Sequence, residues 1–210
     1  LKQPEAARAI VAELAAGETT AERAWTQALK VEFAQTPLTP PQRVETLSNA
    51  LGLDPNNGIL FTWLARALVQ VGELDQAARC YREAAQRMPS WTTPCLELAQ
   101  AMLAAGRNDQ AIPAAKAAYL RSPSSAAVAV QLARVRYATL LQQFDVSEQS
   151  LLLKYVTSLR ETLPDEPSLL PIHIALLARS GDTHSATTVL SAALTKRPAA
   201  DAVLSLYSVD

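Results

Sequence analysis

Histidine is the side chain that most often performs acid–base chemistry or binds a metal near neutral pH, and this chain contains two. His173 falls on a predicted apolar helix stripe, so we expect a buried or half-buried imidazole with one local hydrogen bond. His184 stands beside Asp182 in the first turn of a predicted helix and is expected at the surface. Neither histidine has cysteines or a carboxylate cluster at metal-ligand spacing. The sequence therefore predicts no catalytic residue, no metal site, no cofactor and no enzymatic activity.

Cysteine could supply a nucleophile or a disulfide, and the chain has two, Cys80 and Cys95. They fall on the second helix of one predicted pair and the first helix of the next, where stacking could bring them together. A disulfide is one alternative, and it requires Cα atoms within about 7 Å. The other, which we adopt, is that Cys95 is an apolar core residue. The six glycines are single, so no glycine-rich phosphate loop is predicted.

The charges of the chain nearly cancel, with 19 basic and 20 acidic side chains and a net charge of −1. This balance gives no overall field that would attract nucleic acid. Three arginines, Arg79, Arg82 and Arg87, crowd one predicted helix, but acidic residues interleave with them, which indicates a salt-bridged surface. No stretch approaches the roughly 18 consecutive apolar residues of a membrane helix. We therefore predict a soluble chain with no nucleic-acid partner and no direct membrane insertion.

The elements that carry these residues are predicted from an internal repeat. Glycines, alanines, leucines and prolines recur at intervals of 34 residues, among them Gly72 and Gly106, Leu64, Leu98 and Leu132, and Pro55, Pro89 and Pro123. A glycine in the middle of the unit ends one helix, and the proline ends a second, so each unit is a helix pair. The apolar stripe of one pair must be buried against its neighbours, which predicts stacked pairs.

The repeat is interrupted once, by seven residues. Gly181, Ala186 and Pro198 follow Gly106, Ala111 and Pro123 by 75 residues, which is two periods of 34 plus seven. Seven residues are close to two helical turns, so shared between two helices they add about one turn to each and keep the buried faces in phase. We expect the lengthened pair to project roughly 5 Å beyond its neighbours near Phe144.

The pattern resembles the tetratricopeptide repeat (TPR) family. One unit carries the apolar and small residues of that family at its spacing: Phe61, Leu64, Ala65, Leu68, Gly72, Ala77, Tyr81, Ala84 and Pro89. The next unit matches as well, although Ala115 replaces the large aromatic and predicts a thinner core there. The resemblance implies an all-α fold, a right-handed superhelical α-solenoid of stacked antiparallel helix pairs with about 12 helices.

We predict that residues 1–210 form a single TPR-like repeat domain. Its divisions are degenerate N-terminal helices at 1–56, repeats at 58–91 and 92–125, a lengthened repeat at 126–166, a repeat at 167–200, and the start of a further helix at 201–210.

In the family, the first helix of each unit lines a concave groove that holds a partner segment. The resemblance assigns that role here to Thr62, Arg66, Val69, Gln70, Leu96, Gln100, Leu103, Arg134, Tyr137 and Arg179. Arg66, Gln100 and Arg134 form a row at 34-residue intervals that could grip carboxylates or backbone carbonyls. Alternatively, these arginines are ordinary surface residues whose aliphatic stems cover neighbouring helices.

The function that follows is a protein–protein interaction scaffold, with a peptide or a helical segment of a partner protein in the groove. Arg66 and Arg134 would fix polar ends, and Leu103 and Tyr137 would bury apolar anchors. A second hypothesis is a structural spacer or self-assembly segment that forms homo-oligomers through the projecting Phe144 hairpin. A third is a docking arm of a larger enzyme whose catalytic domain lies outside this sequence.

Overall fold

A computed structural model describes residues 9, 19–33 and 37–196 of the chain, and within them the regular structure consists of ten α-helices and no strand. The all-α prediction is confirmed. Apart from Ala9, the first 18 residues of the predicted N-terminal helices lie outside the described residues, and so does the predicted start of a helix at 201–210. The chain divides into two compact units, Leu1–Ala105 and Gly106–Asp210. The division into individual repeats stays a prediction.

Within the described residues of the first unit there are five helices, each packed against the next along the chain. They are α1 (Thr20–Phe33), α2 (Pro40–Leu53), α3 (Gly58–Gln70), α4 (Leu74–Arg87) and α5 (Thr93–Ala104).

Up to Lys196, the second unit has five more helices, again packed in chain order. The first helices of two consecutive pairs, α7 and α9, also contact each other. They are α6 (Asn108–Arg121), α7 (Ala126–Gln142), α8 (Val146–Thr162), α9 (Leu169–Arg179) and α10 (Thr183–Lys196). Contact between neighbours in the chain, and between alternate helices, is the pattern of a helical solenoid.

Side chains at the starts of two helices accept hydrogen bonds from free backbone N–H groups, and glycines form the turns at the ends of others. The backbone N–H of Thr39 donates to Gln42 Oε1 at 2.9 Å, which forms a capping box at the start of α2. Asp145 caps α8, because its Oδ1 accepts the backbone N–H groups of Ser147 and Glu148 at 2.7 and 3.1 Å. The turns within three pairs place a glycine at positive φ, at Gly72 (83°), Gly106 (70°) and Gly181 (86°).

Small apolar side chains set the close approach of the helices. Ala77 and Ala84, seven residues apart on α4, are both 0% exposed, as are Ala111 and Ala118 at the equivalent positions of α6. A larger side chain at these sites would hold the backbones apart. The core of the second unit is built from buried residues of α7, α8 and α9, namely Val130, Ala133, Leu140, Leu152, Val156, Leu169, Ile172 and Leu176.

The seven-residue insertion lengthens two helices, as predicted. α7 and α8 each have 17 residues, whereas α6 and α10 have 14 and α9 has 11. The turn that joins them exposes apolar side chains, with Phe144 at 59% and Val146 at 71%. An exposed phenylalanine at the end of a lengthened hairpin is a candidate contact point.

In the part of the chain that the structure describes, we find no helix with the length and apolar character needed to cross a bilayer.

Candidate functional site

The predicted groove residues lie on α3 and α5 in the first unit and on α7 and α9 in the second. The exposed members are Arg66, Gln70, Gln100, Arg134 and Arg179, and the half-buried ones are Val69, Leu96, Leu103 and Tyr137.

The prediction for Thr62 is wrong, since this side chain is 0% exposed and its hydroxyl donates to the backbone oxygen of Gly58 at 3.0 Å. Its helix, α3, is packed against both α2 and α4, which leaves only a narrow accessible strip. A short side chain at this position does not reach that strip.

Arg66 is engaged within its own unit. Its Nε and Nη2 donate to the two carboxylate oxygens of Glu97 on α5, at 2.8 and 2.5 Å. Tyr81 on α4 is hydrogen-bonded to the same carboxylate and is 3% exposed. Burial raises the pKa of Tyr81, and the charge of Glu97 raises it further. Arg66, Tyr81 and Glu97 therefore form a polar triad that joins α3, α4 and α5.

The first unit also contains contacts that sequence reasoning did not find. The indole rings of Trp25 on α1 and Trp63 on α3 meet edge to face, with ring centroids 5.8 Å apart. Arg43 on α2 donates to Gln70 Oε1 at 3.3 Å. This bond ties one predicted groove residue to a neighbouring helix.

In the second unit, predicted groove residues of α7 and α9 come together. The Arg179 guanidinium lies 5.8 Å from the centre of the Phe144 ring, a cation–π geometry. Burial raises the pKa of Tyr137, and the nearby positive charge of Arg179 opposes that rise. Arg134 is exposed one turn before Tyr137 on α7. We call this surface, formed by Arg134, Tyr137, Phe144 and Arg179, the α7/α9 face.

An open cleft of about 660 Å³ lies on the other side of α7. Ile112 and Lys116 of α6 form one wall, and the α7–α8 turn and the start of α8 close one end. The floor is a strip of α7 that includes Leu132, Arg136 and Leu140. By the 3.6-residue period, this strip is roughly opposite the strip that carries Arg134 and Tyr137. We call it the α6/α7 cleft.

The charged side chains at the closed end of the α6/α7 cleft are held by internal bonds. Arg136 Nε donates to Glu148 Oε1 at 2.7 Å, and the Arg136 guanidinium lies 5.6 Å from the Tyr155 ring. Burial raises the pKa of Tyr155 to about 12. Its phenol accordingly stays protonated and donates to the backbone oxygen of Ala129 at 3.3 Å.

Two features of the sequence point to the cleft. Ala115 occupies the place of the family's large aromatic, and the insertion extends α7. A missing large side chain on α6 and an added turn on α7 both leave space between these helices.

His173 is a structural residue, as predicted, and it is 8% exposed. Arg160 Nη1 lies 2.9 Å from His173 Nδ1, and because a guanidinium cannot accept a hydrogen bond, Nδ1 is the acceptor. The proton therefore sits on Nε2, which donates to Thr157 Oγ1 at 3.1 Å, and Thr157 in turn donates to the oxygen of Leu153 at 2.8 Å. Burial lowers the pKa of His173, and the charge of Arg160 lowers it further. The imidazole makes two bonds rather than the one expected.

The other candidate groups take the places that the sequence suggested. His184 is exposed, and Cys95 is 6% exposed and is not joined to Cys80 by a disulfide. Burial raises the pKa of Cys80, which keeps that thiol protonated. Within residues 9, 19–33 and 37–196, no three His, Cys, Asp or Glu side chains cluster where they could hold a metal ion.

The predicted salt-bridged surface of α4 contains an ion pair between Arg87 and Glu83, and the Arg87 guanidinium stands 4.4 Å above the Phe61 ring.

No protein-family model matches this sequence, and no curated protein does either. Solved structures do share the fold. MamA 41-end from Desulfovibrio magneticus RS-1 superposes with a TM-score of 0.68 at 12% identity, over 85% of this chain and 95% of that one. YrrB, described as a TPR protein with an unusual peptide-binding site, superposes with a TM-score of 0.70 at 13% identity, over 98% of this chain and 100% of that one.

A thermophilic TPR protein from Thermus thermophilus is 21% identical, with a TM-score of 0.55 over 80% of this chain and 89% of its own. These likenesses agree with the 34-residue spacing and with the helix order described above. The chain has a TPR-like α-solenoid fold.

Proposed function

We propose that the chain is a non-enzymatic scaffold that binds a segment of a partner protein, and that the α7/α9 face is its principal contact surface. The proposal keeps the groove hypothesis but places the main contact in the second unit instead of at Arg66 in the first. In the first unit, both oxygens of Glu97 already pair with Arg66, so this guanidinium is less suited to a partner's carboxylate.

The observation that carries the proposal is the combination of two exposed arginines with aromatic side chains on the α7/α9 face. The rings of Phe144 and Tyr137 offer apolar area, and Arg134 and Arg179 offer guanidinium groups for carboxylates or backbone carbonyls. Tyrosine and arginine are enriched where protein partners contribute most binding energy. YrrB, which shares the fold, has a peptide-binding site by its description.

The segment that suits this surface is a helix or an extended peptide with an apolar anchor and at least one acidic side chain. The apolar anchor would lie against Phe144 and Tyr137, where an aromatic surface can exclude water. A carboxylate of the partner would pair with Arg134 or Arg179.

The test is to identify proteins captured by the wild-type chain from a lysate of the source cell and then to measure the affinity of each purified partner. We expect the Arg134→Glu, Arg179→Glu double variant to lose at least about tenfold in affinity, because both guanidinium contacts become repulsive. Its thermal unfolding should stay close to wild type, since both side chains are exposed.

The matched control is the Arg79→Glu, Arg82→Glu double variant, which makes the same change in charge on exposed positions of α4. The control should bind as the wild type does. Equal loss in both double variants would mean that only overall charge matters, and unchanged binding in the first would remove the α7/α9 face from the proposal.

A second candidate function is self-assembly, which the exposed apolar turn favours. Leu141, Phe144 and Val146 are 50%, 59% and 71% exposed, and a cluster of this kind often marks a protein contact. The mass measured by light scattering would then rise with concentration, and Phe144→Ser would reduce that rise. A mass that stays monomeric at all concentrations would exclude this function.

A further inference from the structure

We propose that Asn57 is a site of spontaneous covalent modification, at which the side-chain amide becomes a carboxylate after the backbone nitrogen of Gly58 attacks it. The chain has four asparagines, and only Asn57 is followed by a glycine. The site lies in the turn between α2 and α3. It uses no residue of the α7/α9 face, so the proposal does not depend on the function assigned to that face.

The reaction has two steps and needs only water. In the first step, the Gly58 nitrogen loses its proton and bonds to Asn57 Cγ, the Cγ–Nδ2 bond breaks, and ammonia leaves with that proton. In the second step, water opens the five-membered imide at one of its two carbonyl carbons. Opening at Cγ gives an aspartate, and opening at the main-chain carbon gives an isoaspartate, whose peptide bond runs through the side chain. Glycine favours the attack because it has no Cβ to shield its nitrogen.

The native structure holds the reacting atoms apart. Asn57 is the N-cap of α3, and its ψ of 103° turns the Gly58 nitrogen away from the side chain, so the imide ring cannot close. Asn57 Oδ1 accepts the backbone N–H groups of Ile59 and Leu60 at 3.0 and 3.3 Å. Asn57 Nδ2 donates to Asp54 Oδ2 at 3.0 Å. The reaction therefore requires the first turn of α3 to open, and its rate reports how often that turn opens.

Helix packing explains why a glycine follows the capping residue. Gly58 is buried, and a Cβ built on it would lie 2.8 Å from Met88 Cγ and 3.3 Å from the backbone oxygen of Ala84. Any larger residue at this position would require the Met88 side chain to move. The close contact of α3 with α4 favours glycine, and the cap favours asparagine, so together they produce the dipeptide that reacts.

Both products weaken the start of α3. An aspartate at position 57 keeps an acceptor for the helix, but its second oxygen replaces Nδ2 beside the Asp54 carboxylate, so two like charges face each other. An isoaspartate adds a carbon to the main chain and moves the acceptor away from the helix N-terminus. The modification is therefore a one-way switch, because the turn that opened to permit the reaction is afterwards open more often.

The test follows all four asparagines of the whole chain during incubation at mildly alkaline pH. Protease digestion and mass spectrometry detect the mass gained when an amide nitrogen is exchanged for an oxygen, and fragmentation separates Asn57 from its neighbour Asn56. We expect conversion at Asn57 to be at least about tenfold faster than at Asn49, Asn56 or Asn108, with isoaspartate among the products. Asn57→Ser retains a capping residue and should abolish the mass gain at this position.

A second pair of measurements separates the effect of the fold from that of the dipeptide. In urea, where α3 is unfolded, conversion at Asn57 should be at least about tenfold faster than in the folded chain. Asp54→Ala removes the partner of Nδ2 and should speed conversion about threefold in the folded chain, without changing the rate in urea. Glu45→Ala removes an equal charge from an exposed position of α2 and should change neither rate.

The structural consequence is tested with Asn57→Asp, which reproduces one product. The backbone amides of Ile59 and Leu60 should exchange at least about threefold faster in Asn57→Asp than in Asn57→Ser, because both variants retain a capping oxygen but only the first faces Asp54 with a charge. Three results would overturn the proposal. They are equal conversion at all four asparagines, equal conversion in the folded chain and in urea, and equal exchange in the two variants.

Discussion

The triad Arg66, Tyr81 and Glu97 can be compared with the three residues that stand at the same positions of the next repeat. In the first unit, Arg66, Tyr81 and Glu97 satisfy one another across three helices. The residues 34 positions later are Gln100, Ala115 and Gln131. Gln131 is 2% exposed, and its Nε2 has no hydrogen-bond partner.

The difference shows that two repeats can share the same helices and still differ in how tightly neighbouring helices are packed. Replacing a buried tyrosine by alanine removes both a ring and a hydrogen-bonding hydroxyl. In the first unit, Tyr81 and its hydrogen bond to Glu97 close the contact between α4 and α5. In the second unit, where Ala115 stands at this position, the buried amide of Gln131 lacks a partner and a cleft opens beside α6. Closed contacts contribute to stability, and open ones are available for ligands.

The largest effect is expected from Tyr81→Ala, which gives the first unit the side chain that the second unit has at Ala115. Removing a buried aromatic should cost about 3 kcal/mol of unfolding free energy. Hydrogen exchange would show faster opening of α3, α4 and α5. Tyr119→Ala, at a half-buried position of α6, is the control and should cost less than half as much. An equal cost for both would mean that the triad adds no special stability.

A smaller effect of opposite sign is expected when Glu97 and Gln131 are each replaced by leucine. Glu97→Leu should lower the unfolding free energy by about 1–2 kcal/mol, because Arg66 and Tyr81 lose their shared acceptor. Gln131→Leu should raise it by about 1 kcal/mol, since it removes a buried donor that has no partner. Urea denaturation would measure both. If both variants change the unfolding free energy in the same direction, the contrast drawn here between Glu97 and Gln131 is wrong.

Arg66→Gln copies the residue found at Gln100 and should cost about 0.5–1 kcal/mol. The reason for the small value is that the Arg66 side chain is 46% exposed, so water replaces much of the lost ion pair. The loss should shrink further at high salt, which urea denaturation at two ionic strengths would reveal. A loss above about 2 kcal/mol would show that the triad behaves as a buried network instead.

The smallest effect is expected from a change of pH around 6.5, where histidine titrates, and the second unit holds both histidines. The pKa of His173 in the folded chain is below its usual 6.5, so the unfolded chain binds the proton more readily. The free energy of unfolding should therefore fall as the pH drops below about 6.5. His173→Gln should flatten this slope, while His184→Gln should leave it in place. Hydrogen exchange in α8 and α9 at two pH values would locate the effect.

Much of the fold could be predicted from the sequence, because the repeat places the same residue types at the same structural positions. The glycines at 72 and 106 mark turns, the alanines at 77 and 84 are buried, and the insertion lengthens α7 and α8 as expected. Each of these features depends on local geometry, which spacing along the chain records well.

The candidate site was harder to predict, because it depends on which side chains meet across helices. The spacing that put Arg66 and Arg134 in one row carried no information that Glu97 would pair with Arg66. Thr62 lies on the predicted strip but is too short to reach solvent. The α6/α7 cleft results from a missing side chain and an added turn together, and neither feature alone predicts a cavity.

The three glycines at positive φ have a consequence for how such a chain changes in evolution. Because Gly72, Gly106 and Gly181 give the same left-handed turn, a recombination event between two of these codons would join a complete helix to a complete helix. The array can therefore gain or lose whole units without a new turn having to evolve. The seven-residue insertion lengthens α7 and α8, whose joining turn is the equivalent of these glycine turns but has no glycine, so the length of an individual hairpin can vary independently of the number of units.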